Sequence, residues 1–205
     1  MIGRKLAERE ERHAPGALRN TDAAIARVAL HDAKLAVLRP TASSGHEEDR
    51  QTLALIFTDT LGKLRPDLST MPLATTLSAI NAAGLAGSYD RIYVAYKNTG
   101  LFDGQALQKI AQAVGARYLI QLKLGSFDQG STNGMFSLLG VSLGHKQTAN
   151  LRLIVQIWDG TDGKIVWERS AEDSETKRSF IRIRTIKMED VAKSAAEELV
   201  KQLPR

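Results

Sequence analysis

The chain reads as an α+β protein: a single domain with one mixed β-sheet, helices packed on it, and a carboxy-terminal meander followed by a closing helix. Three observations predict this. The stretch ARYLIQLKLGSF (116–127) alternates apolar and polar residues, which puts Tyr118, Ile120, Leu122 and Leu124 on one face of a strand. NLRLIVQIWDG (150–160) repeats the pattern with Leu151, Leu153, Val155 and Ile157, and GKIVWERSAE returns from a turn at TDG (161–163) as its hairpin partner. Upstream of this meander the apolar residues recur at steps of three and four, the period of a helix with one buried face.

The elements follow in order. Residues 1–22 are charged and polar and are interrupted by Pro15 and Gly16, so they read as a flexible segment ahead of a domain over 23–205. Within AAIARVALHDAKLAVL (23–38), Lys34 to Leu38 is a buried strand that stops at Pro40, and the part before it fits helix or strand. Thr41 to Gly45 is a loop. His46 to Arg65 is a helix with Leu53, Ile56, Phe57, Leu61 and Leu64 on one side. Glu47, Glu48 and Asp49 in its first turn and Lys63 and Arg65 in its last complement the helix dipole, and Pro66 ends it.

A short extended piece, Leu68 to Leu73, precedes a small helix capped by Thr75 or Thr76 and running to Ala83. YDRIYVAY (89–96) has glycine on both flanks and reads as irregular or helical. Asp103 is an N-cap for Gly104 to Val114, whose stripe is Leu107, Ile110, Ala111 and Val114, with Gly115 as the residue that ends it. Met188 to Leu203 is an amphipathic closing helix carrying Val191, Ala192, Ala195, Leu199 and Leu203.

Composition narrows the function classes. With 205 residues, 43% apolar and 25% charged, the chain is long enough for one domain with a sizeable core. Aromatics are 5%, so aliphatic residues carry that core. The formal net charge of +5 favours acidic partners. No cysteine is present, which excludes disulfides, thiolate metal sites and cysteine nucleophiles. No apolar run reaches the length of a membrane-spanning helix. MIGRKLAEREERH lacks the apolar core of a secretory signal, so the expectation is a cytosolic protein or one whose signal has been removed.

Catalytic signatures are missing. His13, His31, His46 and His145 are scattered, and neither a nucleophile elbow nor a phosphate-binding glycine loop occurs. HEED (46–49) is read as dipole-complementing acid at a helix start rather than a hydrolytic carboxylate pair. Asp159 and Asp162 in WDGTDGK are read as turn formers rather than cation ligands. The expectation is therefore a non-enzymatic protein without cofactor or metal.

Two stretches point to partners. GSTNGMFSLLGVSLGH (130–145) sets Met135, Phe136, Leu138, Leu139, Val141 and Leu143 among glycines between two strands. It is too short for a complete membrane hairpin, which needs about 9–11 residues in each direction. It covers a neighbouring subunit, a membrane interface or its own sheet, and burying roughly 300 Å² of it contributes about 7 kcal/mol at ~25 cal/mol/Å² before ordering costs. KRSFIRIRTIK (177–187) alternates Arg182 and Arg184 with isoleucines. With Lys187 these arginines form a grip for an anionic partner, or else charges that protect a sheet edge. Only Phe180 stands near for base stacking, which argues against nucleic acid.

The phrases YVAYKNTGLFDGQALQKIAQAVGARYLIQLKLGSF and LRLIVQIWDGTDGKIVWERSAE resemble a family of bacterial envelope lipoproteins. These share the fold of the TolB amino-terminal domain and of the curli secretion-channel lipoprotein. The resemblance spans roughly Lys34 to Leu203. It implies a non-enzymatic component of a secretion, export or envelope-assembly system, periplasmic and associated with the outer membrane. It also implies a homo-oligomer or an envelope protein partner, with the 135–143 stretch where that family places insertions for subunit or membrane contact. The chain lacks the family's lipidated cysteine. The alternative reading is a cytoplasmic binding module for an anionic ligand or nucleic acid.

Overall fold

The computed structural model describes residues 30–42, 48–133, 145–179 and 186–204. The sheet starts with β1 (Leu35–Val37), whose three residues are all buried. Pro40, which has no N–H to offer a ladder, interrupts it, and pairing resumes as β2 (Thr41–Ala42) along the same neighbour. Helix α1 (Asp49–Leu64) follows, then β3 (Thr70–Met71), and then three helices: α2 (Leu73–Ala82), α3 (Ala86–Thr99) and α4 (Gly104–Val114). The meander is β4 (Tyr118–Asn133), β5 (His145–Asp159) and β6 (Ile165–Ser179), and α5 (Met188–Lys201) closes the chain.

The strand order is β3-β1-β4-β5-β6, with β2 also on β4. β3, β1 and β4 run parallel and β4, β5 and β6 antiparallel, so the sheet is mixed, as expected. Helices α1 and α5 cover one face through Leu53, Phe57, Leu61, Val191, Ala195 and Leu199. Against them lie Tyr118, Ile120, Leu122 and Leu124 of β4 and Leu151, Leu153, Val155 and Ile157 of β5, the two faces read from the alternation. Helices α2, α3 and α4 cover the other face around Trp158, Leu119 and Phe102.

Bulges adjust this alternation, because a one-residue shift sends side chains to the opposite face. Between Leu124 and Ser126 the register against β5 slips at Gly125, and the inward positions change from even to odd, so Phe127 packs on the α1/α5 side. A second slip between Ile157 and Trp158 lets Ile157 pair with Trp167 on one side of the sheet. Trp158 pairs with Ile165 on the other.

Several details differ from the sequence reading. Thr76 lies inside α2 and does not cap it: Pro72 is the N-cap, and the Thr76 hydroxyl donates back to the Pro72 carbonyl at 3.1 Å. Leu64 is 40% exposed, and Ala54 and Thr60 take the buried positions on α1 instead. YDRIYVAY, read as irregular or helical, is helical. β4 and β5 run past 127 and before 150, so Asp128–Asn133 pairs with His145–Asn150; polar side chains do not stop two strands whose backbones satisfy each other. The segments 1–29, 43–47, 134–144 and 180–185 lie outside the described residues, and with them the expectations for 1–22 and for His46 and Glu47.

Other readings hold. The Asp103 carboxylate accepts from the Ala106 N–H at 2.7 Å, and Gly115 ends α4 at φ 61°. Arg65 does more than complement a dipole: it donates to the Leu203 and Pro204 carbonyls at 3.3 and 3.0 Å, tying the end of α1 to the end of the chain.

Candidate functional site

Two regions are candidates: the far end of the meander, where the predicted partner stretches attach, and a cleft beside the break in β1. At the meander the register sets Asn133 opposite His145 and His145 opposite Ser179. The connection carrying Met135, Phe136, Leu138, Leu139, Val141 and Leu143 therefore departs from and returns to the same sheet end that β6 reaches before the stretch with Arg182 and Arg184. These eight residues lie outside the described residues. Lys187 is described: it is exposed, extended, and occupies the N-cap of α5. The chain re-enters the fold at Ile186, which is buried and whose carbonyl accepts from the Gln129 amide at 2.7 Å.

The second region is built on Pro40. Breaking the β1 ladder leaves the Arg39 N–H and C=O without strand partners, and buried backbone groups require them. Tyrosines at 89, 93 and 96 stand four and three apart, so α3 aims all three at the sheet. The Arg39 N–H donates to the Tyr89 hydroxyl at 2.8 Å. The Tyr89 and Tyr93 hydroxyls are 3.3 Å apart, and Tyr93 donates to Gln121 Oε1 at 2.9 Å. The Gln121 amide returns to the Arg39 carbonyl at 3.3 Å and also donates to the Leu122 carbonyl at 2.8 Å. The circuit closes on the residue where it began.

Tyr96 is satisfied separately, donating to Gln156 Oε1 at 2.9 Å, an oxygen that also accepts from Trp158 Nε1 at 3.2 Å, while the Gln156 amide meets Glu168. Burial pushes Tyr93 well above the usual phenol range, and burial with the nearby Glu168 charge pushes Tyr96 up to about 12. Both stay neutral phenols at neutral pH.

This arrangement holds Arg39 in place. Its guanidinium lies 4.5 Å from the Tyr93 ring centroid and 5.7 Å from that of Tyr89, and 3.4 Å from Asp90. It stands at a cleft of about 610 Å³ between α3 and the β2/β4 edge, into which Arg50, Lys97 and Lys123 also project. Sequence reasoning missed this site because its cations come from four elements. The 4–3 tyrosine spacing and the Arg-Pro pair were the signals that could have led to it.

Asp159 and Asp162 have structural partners. Asp159 accepts from the Thr161 hydroxyl and N–H at 2.6 and 2.8 Å and from Arg117 at 2.9 Å; Asp162 pairs with Lys164 at 2.7 Å. Among the described residues no group of three or more histidines and carboxylates could hold a metal ion. No described helix is long and apolar enough to cross a membrane.

The sequence matches no protein-family model and no curated protein. Solved structures similar to the chain include the PelC dodecamer from Paraburkholderia phytofirmans, 13% identical over 83% of this chain and 86% of that one, at a TM-score of 0.48. Lipoprotein GNA1162 from Neisseria meningitidis is 13% identical over 70% and 83%, at 0.39. The LpoB C-terminal domain from Escherichia coli is 14% identical over 75% and 92%, at 0.40. That range is broader than the resemblance drawn from the sequence phrases.

Proposed function

We propose that the protein is a non-enzymatic, envelope-associated component of a bacterial secretion, export or envelope-assembly system, and that it contacts its partner through the far end of the meander. One observation supports this reading above the others. Strands of 15 and 16 residues, about 50 Å long at ~3.3 Å per residue, bring the ends of an apolar stretch and of an arginine-bearing stretch to one end of the sheet. Six apolar side chains within nine residues gain little from water and much from a surface that covers them. Arg182, Arg184 and Lys187 would supply cations for an acidic rim, which suits an interface with an apolar centre and a polar border.

The partner in this reading is a second copy of the chain or another envelope protein. Light scattering on the purified protein tests the first arm, comparing wild type with Leu138→Ser/Leu139→Ser. A discrete oligomer that falls to monomer in the double variant is the expected result. Monomers for both proteins would refute self-assembly through this stretch.

A further inference from the structure

The cleft beside Arg39 plays no part in that reading, and its chemistry points elsewhere. Of the described residues that line it, four are cationic (Arg39, Arg50, Lys97 and Lys123) and one, Asp90, is a carboxylate. Among the described residues, acidic side chains collect in a different cleft, between α1, β6 and α5, which Asp59, Asp173, Glu175, Glu189 and Asp190 line together with Lys193. The positive cleft is thus more than a sample of a mildly basic surface. Its size falls within the ~300–1,000 Å³ usual for small-molecule sites.

We infer that this cleft binds a small soluble ligand bearing a phosphate or pyrophosphate group. Arg39 already meets Asp90, which leaves the charges of Lys97 and Lys123 to be matched, and a phosphate monoester brings about −2 at neutral pH. Arg39 offers its planar donor fork from a fixed position, held by the tyrosine faces and by the closed circuit through its own backbone. Among the described residues no ion pair ties up Lys97 or Lys123, and both are exposed. Because the tyrosine hydroxyls are turned to the sheet and stay protonated, the cleft meets them as ring faces that add no negative charge. Val94, 59% exposed on the same wall, offers apolar surface to an organic group on the phosphate.

Calorimetric titration of the full chain with inorganic pyrophosphate tests the inference, with phosphatidylglycerol vesicles as a second arm. Saturable one-to-one binding of pyrophosphate is expected, weakened about tenfold or more in Lys97→Gln/Lys123→Gln as two charge-assisted hydrogen bonds are lost. Lys109→Gln/Lys201→Gln, an equal change of net charge at exposed positions away from the cleft, should leave the affinity as it is. Absence of saturable binding, equal weakening in both double variants, or binding to vesicles without binding to pyrophosphate would each overturn it.

Discussion

Removing the Tyr93 hydroxyl is the sharpest test of how the break in β1 is repaired. Tyr93→Phe keeps the ring and its edge contacts with Tyr89 and Phe102, at centroid separations of 5.1 and 5.4 Å, so no cavity larger than one oxygen opens. What is lost is the 2.9 Å bond to Gln121 Oε1 and the acceptor 3.3 Å from Tyr89. Gln121 is 1% exposed, so water cannot replace the missing donor. An unsatisfied buried polar group costs about 1–3 kcal/mol, and we expect about 2 kcal/mol here. For a chain of this size that lowers Tm by roughly 4–8 °C.

The assay is urea unfolding followed by tryptophan fluorescence, since Trp158 and Trp167 lie in the two separate cores and report on both faces of the sheet. Gln121→Leu and the double variant complete a cycle. If the two groups act through one circuit, the double variant should cost less than the sum of the singles by about 1 kcal/mol or more. A loss under about 0.5 kcal/mol for Tyr93→Phe, or strict additivity, would refute the circuit as the device that holds the strand break.

Two further outcomes follow from the β5–β6 turn. A Cβ at Gly160 would stand 2.3 Å from Ala111 Cβ and 3.0 Å from the Arg117 carbonyl, so Gly160→Ala should push α4 off the turn and destabilise by about 1–3 kcal/mol, read as a lower urea midpoint. Burial raises the Asp159 carboxyl, but hydrogen bonds from Thr161 and Arg117 outweigh it and hold the group below its ordinary value of 3.8. A carboxylate depressed in the native state stabilises above its unfolded pKa and loses that contribution as pH falls through the native value. Asp159→Asn should therefore cost about 1–3 kcal/mol at pH 7, with the gap from wild type closing below about pH 4. A gap that does not change with pH would refute the ion pair's role.

The alternating strands of the meander and the stripe of α4 were legible in the sequence, because periodicity and capping are local. Tyr118 to Leu124 and Leu151 to Ile157 each carry one continuous apolar face that packs in a core, and Asp103 and Gly115 bracket a helix by backbone chemistry alone. The helix α3 was legible only as one of two alternatives, irregular or helical, since tyrosines favour strands as readily and its glycine flanks resemble loop punctuation. Packing decided it: the helical spacing is the one that delivers Tyr89, Tyr93 and Tyr96 to the sheet together.

The cationic cleft depends on the same kind of fact. Arg39, Arg50, Lys97 and Lys123 span 85 positions of sequence. No local rule links them, because only the crossing of α3 over the Pro40 break puts their charges around one space. By itself the sequence determined the periodicities, the caps and the absence of cysteine chemistry. The tertiary structure alone decided where the strand breaks, which polar groups repair it and which charges meet, because those depend on which surfaces are removed from water together.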